Sequence, residues 1–194
     1  MRPFFFVLSL FLGVFAAFQA SADVRTYGPE SPTKMYLFTS LACPHCAQFH
    51  QKILPDIRKK YVGRSKGQLI VVDMMMNQAN LMGATLLRCV PKDQVHAVEA
   101  QMYEDQKKWA YDERKAYTYL LDLAQKKGMS TDDFASCVHN KELQKGILFD
   151  QEKFSNLYGV SRMPTFIIRR GKRTKLFEGA DKEEIMKGLD LFFQ

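Results

Sequence analysis

Lys34-Met35-Tyr36-Leu37-Phe38-Thr39-Ser40, followed after Leu41-Ala42 by Cys43-Pro44-His45-Cys46 and then by Ala47 to Tyr61 (AQFHQKILPDIRKKY), decides the fold. The first seven residues are an apolar, aromatic run of strand length. After Cys46, the apolar residues Phe49, Ile53, Leu54 and Ile57 recur at helical spacing. Pro44 falls in the first turn, where its missing N–H costs nothing, and Pro55 inside the same periodic stretch predicts a kink. The two cysteines therefore stand between a strand and a helix. Cys43, at the helix N-terminus, meets unpaired N–H groups and the positive end of the dipole, and both stabilise a thiolate. Cys46 returns to the same side one turn later. Zinc sites share the CxxC spacing, but a second ligand pair is missing from the sequence. The strand-to-helix setting is that of a redox pair.

Downstream, Gly63 and Gly67 bound a loop and Gln68 to Asp73 (QLIVVD) reads as a β-branched strand. From Asn77 to about Tyr158 the pattern is helical, with predicted helices at Gln78–Arg88, Lys92–Tyr111, Glu113–Lys127, Thr131–Val138 and Lys141–Tyr158. Thr131 reads as an N-terminal cap, with Asp132 and Asp133 behind it. Extended structure resumes at Thr165–Arg169, turns at Arg170-Gly171-Lys172 and continues at Lys175–Phe177. A last helix starts at Asp181, with Ile185, Leu189 and Phe192 on one face. Residues 23–33 read as an irregular lead-in.

At the N-terminus, Arg2, the apolar run Phe4 to Phe18 and the small residues Ala20-Ser21-Ala22 describe a cleaved export signal over residues 1–22. The run is shorter than the ~20 residues a spanning helix needs. Export places all four cysteines in an oxidising compartment. Their spacing favours Cys43 with Cys46 and Cys89 with Cys137. For the second pair, 48 residues apart, a structural clamp is favoured over a second redox pair or free buried thiols. The composition, 46% hydrophobic and 25% charged, argues against disorder and fibrous architectures. Without Arg2 the 28 basic residues become 27 against 21 acidic, a net of +6.

With CPHC at 43–46, MYLFTS before it, the long helical segment, and GVSRMPTFII at 159–168, the chain resembles the DsbA-like branch of the thioredoxin-fold disulfide oxidoreductases, exported to the bacterial periplasm. The resemblance covers essentially the whole mature chain. It implies an α/β thioredoxin fold with an inserted α-helical domain, 23–77 and 159–194 forming the thioredoxin-like part and 78–158 the insertion. It also implies a cis Met163-Pro164 bond facing the disulfide, Cys43 and Cys46 as catalytic residues, Pro44 and His45 as tuners of the pair, and Met163 and Pro164 as substrate-binding residues. The chain departs from the best-known pattern at three places: Leu37 stands where a buried Glu is usual, His50 where an acidic residue is common, and Met163 where a β-branched residue is usual.

The resulting expectation is a monomeric periplasmic oxidase that needs no cofactor or metal. It acts on exported proteins with free thiols and is reoxidised by a membrane partner of the DsbB kind. A monomeric reductase or isomerase is the close alternative; the dimerisation domain of DsbC-type isomerases does not fit before the first strand. A copper chaperone using Cys43, Cys46, His45, His50 and Met163 is the alternative from another class. The proline expected beside the cysteines counts against it, because it takes the space of a third ligand. Met74-Met75-Met76 reads as gap-filling and Trp109 as a packing aromatic. His96 and His139 read as helix-surface residues, and the Arg169–Arg173 run as a solvated hairpin tip without nucleic-acid motifs.

Overall fold

In the computed structural model, which describes residues 24–63 and 66–194, five strands form one sheet. They are β1 (Arg25–Tyr27), β2 (Thr33–Thr39), β3 (Gln68–Asp73), β4 (Thr165–Arg170) and β5 (Arg173–Glu178), in the spatial order β1-β3-β2-β4-β5. The export signal expected at 1–22 lies outside the described residues. β2 is parallel to β3 and antiparallel to β4. Every residue of β3 is buried, as its continuous apolar run requires of a strand covered on both faces.

Between β2 and β3 lie α1 (Pro44–Lys52) and α2 (Leu54–Tyr61). They meet at Ile53, whose N–H still bonds to Phe49 and whose carbonyl still accepts from Ile57. The break is thus the kink that Pro55 dictates, since its ring nitrogen has no proton for the preceding turn. Six helices follow among the described residues: α3 (Gln78–Cys89), α4 (Val95–Glu104), α5 (Gln106–Trp109), α6 (Glu113–Lys126), α7 (Thr131–Val138) and α8 (Lys141–Tyr158). α9 (Lys182–Phe193) closes the chain against the sheet. Side chains of Asn77, Asp112, Ser130, Asn140 and Asp181 cap the starts of α3, α6, α7, α8 and α9. Gly159, at φ 65°, ends α8 in the left-handed conformation that glycine adopts without a Cβ penalty.

One apolar core lies between the sheet and α1, α2 and α9, and includes Leu37, Phe49, Ile57, Phe166 and Leu189. A second fills the helical segment around Trp109, Leu120 and Phe134 and reaches Cys46. Trp109 explains a glycine inside α3: a Cβ on Gly83 would stand 2.9 Å from the indole.

Four expectations need correction. Residues 25–27 are a strand, β1, which pairs with β3; three residues without alternation give too short a pattern to recognise. The cap of α7 is Ser130, which bonds the Asp133 N–H, and Thr131 is the first helical residue. The stretch 92–111 is two helices parted at Asp105. His96 is half-buried and stacked on Tyr27 at 4.2 Å, and burial lowers its pKa to about 4.

Cys89, ending α3, and Cys137, in α7, are disulfide-bonded with Cα atoms 6.2 Å apart. The Cys89→Ser, Cys137→Ser double variant should lose about 2–4 kcal/mol of stability, the usual effect of opening such a loop, while its Cys43 thiolate titration stays unchanged. A melting temperature equal to that of the parent chain would remove the clamp role.

Candidate active site

Cys43 is the N-cap of α1 in extended conformation (φ −94°, ψ 120°), with Pro44 as the first helical residue. Its N–H bonds to the Ser40 carbonyl at 3.1 Å, and its own carbonyl accepts from Ala47 at 3.1 Å, so the helix begins at this residue. The Cys43 side reaches the surface, 7% exposed, whereas Cys46 is completely buried. Pro44 and His45 are exposed beside them. In the dithiol form described here, Cys46 accepts the Ser40 N–H at 3.4 Å.

The two thiols are held in opposite protonation states. Cys43 is lowered to about 6, chiefly because the Cys46 thiol donates a hydrogen bond to it. Burial opposes this; N–H groups at Cys46 and His45 and the His45 charge add to the lowering. Cys46 is raised far above the ordinary thiol range, because its proton is committed to Cys43 and its sulfur is buried. His45 thus contributes to the thiolate, but less than Cys46 does.

The Met163-Pro164 peptide bond is cis, and the Met163 carbonyl lies 3.9 Å from Cys43 Sγ. Met163 is partly exposed and Pro164 buried. The Pro164 carbonyl is taken by the Gly179 N–H. β4 starts at Thr165, which pairs with Phe38, so the sheet register brings the distant 163–165 segment beside the end of β2 and the cysteines.

Behind the thiols lies a buried polar network. Leu37 is packed in the apolar core, yet an acid reaches this region from another element. Glu99, 1% exposed on α4, accepts from Arg25 at 2.5 Å and pairs with His50 at 3.0 Å and Arg58 at 3.4 Å. Arg25 also bonds Asp73 at 2.6 Å, and Asp73 pairs with Arg88 at 2.5 Å. Burial opposes both carboxylates, but Arg25, with His50 and Arg58 at Glu99 and Arg88 at Asp73, outweighs it and holds both below the usual carboxylate range. The His50 ring lies 4.4 Å from that of Tyr103, whose hydroxyl is 2.8 Å from the Thr39 hydroxyl, a hydrogen-bond partner of Cys46. Buried Gln106 donates to the Leu41 and Cys43 carbonyls at 2.8 and 3.0 Å, tying α5 to the start of α1.

The structure thus gathers Cys43, Pro44, His45, Cys46, Met163 and Pro164 at one end of the sheet, while Cys89 and Cys137 lie apart in the helical segment. His50 is occupied by Glu99 rather than turned to the cysteines. Among the described residues no group of three or more His, Cys, Asp or Glu is placed to hold a metal ion. Glu99, Arg25, Asp73 and Gln106 escaped sequence reasoning. The one available signal was the departure at positions 37 and 50 from the pattern the chain resembles: Leu37 and His50 stand where acids are usual, and buried His50 takes its carboxylate from Glu99.

The chain matches the family described as Thioredoxin over residues 22–187. A Rickettsia conorii protein, provisionally named a protein-disulfide oxidoreductase, is 31% identical over 134 residues, 67% of this chain and 45% of that one. The chain spans about half the length of the Rickettsia relatives it matches. Among solved structures, Wolbachia pipientis alpha-DsbA1 matches with a TM-score of 0.77 and 22% identity over 88% of this chain and 90% of that one. Bacillus subtilis BdbD matches at 0.72 and 18% over 87% and 91%. The chain belongs to the thioredoxin family, and its fold is that of the DsbA proteins with their helical insertion.

Proposed function

We propose that this protein is a thiol:disulfide oxidoreductase that works as an oxidase, passing a Cys43–Cys46 disulfide to exported proteins with free thiols. The observation that carries this reading is the placement of Cys43 at the N-terminus of α1 with buried Cys46 one turn behind it. This arrangement lowers the Cys43 pKa and favours the reduced form, and a disulfide oxidises strongly when its reduced form is stable. A substrate thiolate attacks Cys43 Sγ, forming a mixed disulfide as the Cys43–Cys46 bond breaks. Cys46 departs with the electron pair and takes up a proton, which its buried sulfur then retains. A second substrate thiolate attacks the substrate sulfur and releases Cys43 as thiolate. The substrate dithiol has lost two electrons and the enzyme disulfide has gained them. The Met163 main chain beside Cys43 suits an extended substrate segment, which it would hold as an added strand. A DsbB-type membrane partner would remove the electrons, the site of action being the periplasm and the working form a monomer.

Equilibration with glutathione tests the direction of transfer. At pH 7, a Cys43 pKa near 6 in place of ~8.5 leaves roughly nine-tenths as thiolate. That stabilises the dithiol by up to about 1.4 kcal/mol, or ~30 mV, an upper bound because nearby water screens it. The expected potential is less negative than about −180 mV, and a value near −270 mV would make the protein a reductase. His45→Ser should shift the potential by only a fraction of that ~30 mV, the Cys46 donor being retained; an unchanged value would remove His45 from the tuning.

A further inference from the structure

The end of the molecule opposite Cys43 collects positive charge. Strand polarity identifies it: β2 runs from Thr33 towards Cys43, and β4 ends at Arg170, paired with Thr33. The β4–β5 turn therefore stands at the start of β2, as does the start of β3, where Gln68 pairs with Lys34. α9 finishes there too, since a Cβ on Gly67 would meet the Phe193 ring. On this end Lys66, Arg169, Arg170, Lys172, Arg173 and Lys175 are all exposed. None of them has a carboxylate partner among the described residues. Of the carboxylates on these segments, Glu30 and Asp190 are already paired with Lys34 and Lys60, and Glu178 with Arg162, while Glu183 and Glu184 stand in the first turn of α9, away from its end.

These six cations nearly account for the formal +7 of the entire sequence. Arg170 and Arg173 are directly opposite in the β4–β5 register, a like-charge pairing that disfavours the hairpin. The Arg173 guanidinium lies 4.7 Å from the centre of the Phe192 ring, and the neighbouring Leu191 is 55% exposed. A single-stranded nucleic acid would call for exposed rings to stack on, but Phe192 is buried and Phe193 partly so. Clustered cations beside an exposed aliphatic side chain suit a lipid headgroup layer instead.

We propose that this end docks on the surface of an anionic bilayer through lipid phosphates, leaving Cys43 facing away from the membrane. The surface is independent of the redox site, so the two can fail separately. The test is flotation of the full chain with vesicles of phosphatidylglycerol and phosphatidylcholine, compared with phosphatidylcholine alone. Binding should be at least about tenfold stronger to the anionic vesicles, given roughly fivefold per cation near such a surface, and should vanish at about 0.5 M salt. An R169Q/R170Q/K172Q/R173Q variant should lose the preference, while a K92Q/K107Q/R114Q/K115Q variant of equal charge on the helical segment should retain it. Both carry the same N-terminus, so any lipid affinity of its apolar run cancels, and both should keep the parent glutathione equilibrium. No preference for anionic vesicles, or equal loss in both variants, would overturn the proposal. So would displacement by a duplex oligonucleotide at a lower phosphate concentration than the lipid presents.

Discussion

Cys43→Ser should reduce disulfide transfer to the uncatalysed background, whereas Cys46→Ser should accumulate mixed disulfides with its substrates. The asymmetry follows from the geometry of one helical turn. Cys43 caps α1 at the surface and holds the thiolate near pH 6; Cys46 is sealed in the core of the helical segment and holds the proton. Substrate can reach only the first sulfur, so removing it ends the reaction, and removing the second leaves a covalent complex without its resolver. Diagonal gels of the two variants read this directly, and partners trapped by Cys43→Ser instead would reverse the assignment. A companion titration separates the donor from the helix terminus. Cys46→Ala deletes the S–H donor, the largest contribution to the lowered Cys43 pKa, so thiolate absorbance should titrate at higher pH than in Cys46→Ser, where a hydroxyl can still donate. Identical titrations would assign the thiolate to the backbone N–H groups alone.

The parts legible in the sequence were those where local chemistry and fold agree. QLIVVD reads as a strand on its β-branched composition, and CPHC at a strand-to-helix junction puts Cys43 at the helix N-terminus and Cys46 one turn on. The parallel pairing of that strand and the unequal exposure of the thiols appear only in the fold. The approach of Met163 to Cys43 came only from the resemblance, because no local pattern joins residues 120 apart. β1 stayed hidden for a different reason. It is three residues long, and its key member, Arg25, is a buried charge whose cost is met by Asp73 and Glu99 from remote elements. Gln106 was equally silent, since a glutamine on an amphipathic helix reads as solvated until the Leu41 and Cys43 carbonyls are seen beneath it. Long-range polar pairing leaves no periodicity, and together with the apolar core that reaches Cys46 it joins the helical segment to the redox site.

Glu99→Ala should therefore be the most destabilising single change behind the site, by about 3–5 kcal/mol, the usual cost of removing one partner from a buried ion network. Arg25, buried with Glu99, would keep Asp73 as its one carboxylate beside the Tyr27 hydroxyl, and His50 would lose its carboxylate, so the contact of α1 with α4 at the turn after Cys46 would loosen. The pH dependence provides a second readout. Glu99 and Asp73 both have lowered pKa values in the fold, so their stabilisation is complete above the unfolded values of ~4.3 and ~3.9 and is lost as pH falls below them. His96 has the same sign at higher pH. Its folded pKa of about 4 lies below ~6.5, so the unfolded chain binds the extra proton between those values and stability declines there on acidification. Urea midpoints of the parent chain should thus fall gently from about pH 6.5 and steeply below about pH 4.5. In Glu99→Ala the steep limb should flatten while the gentle one persists. A loss under about 1 kcal/mol at pH 7, with both limbs unchanged, would mean that water already reaches Arg25 and His50 and that Glu99 does not hold the helical segment to the thiols.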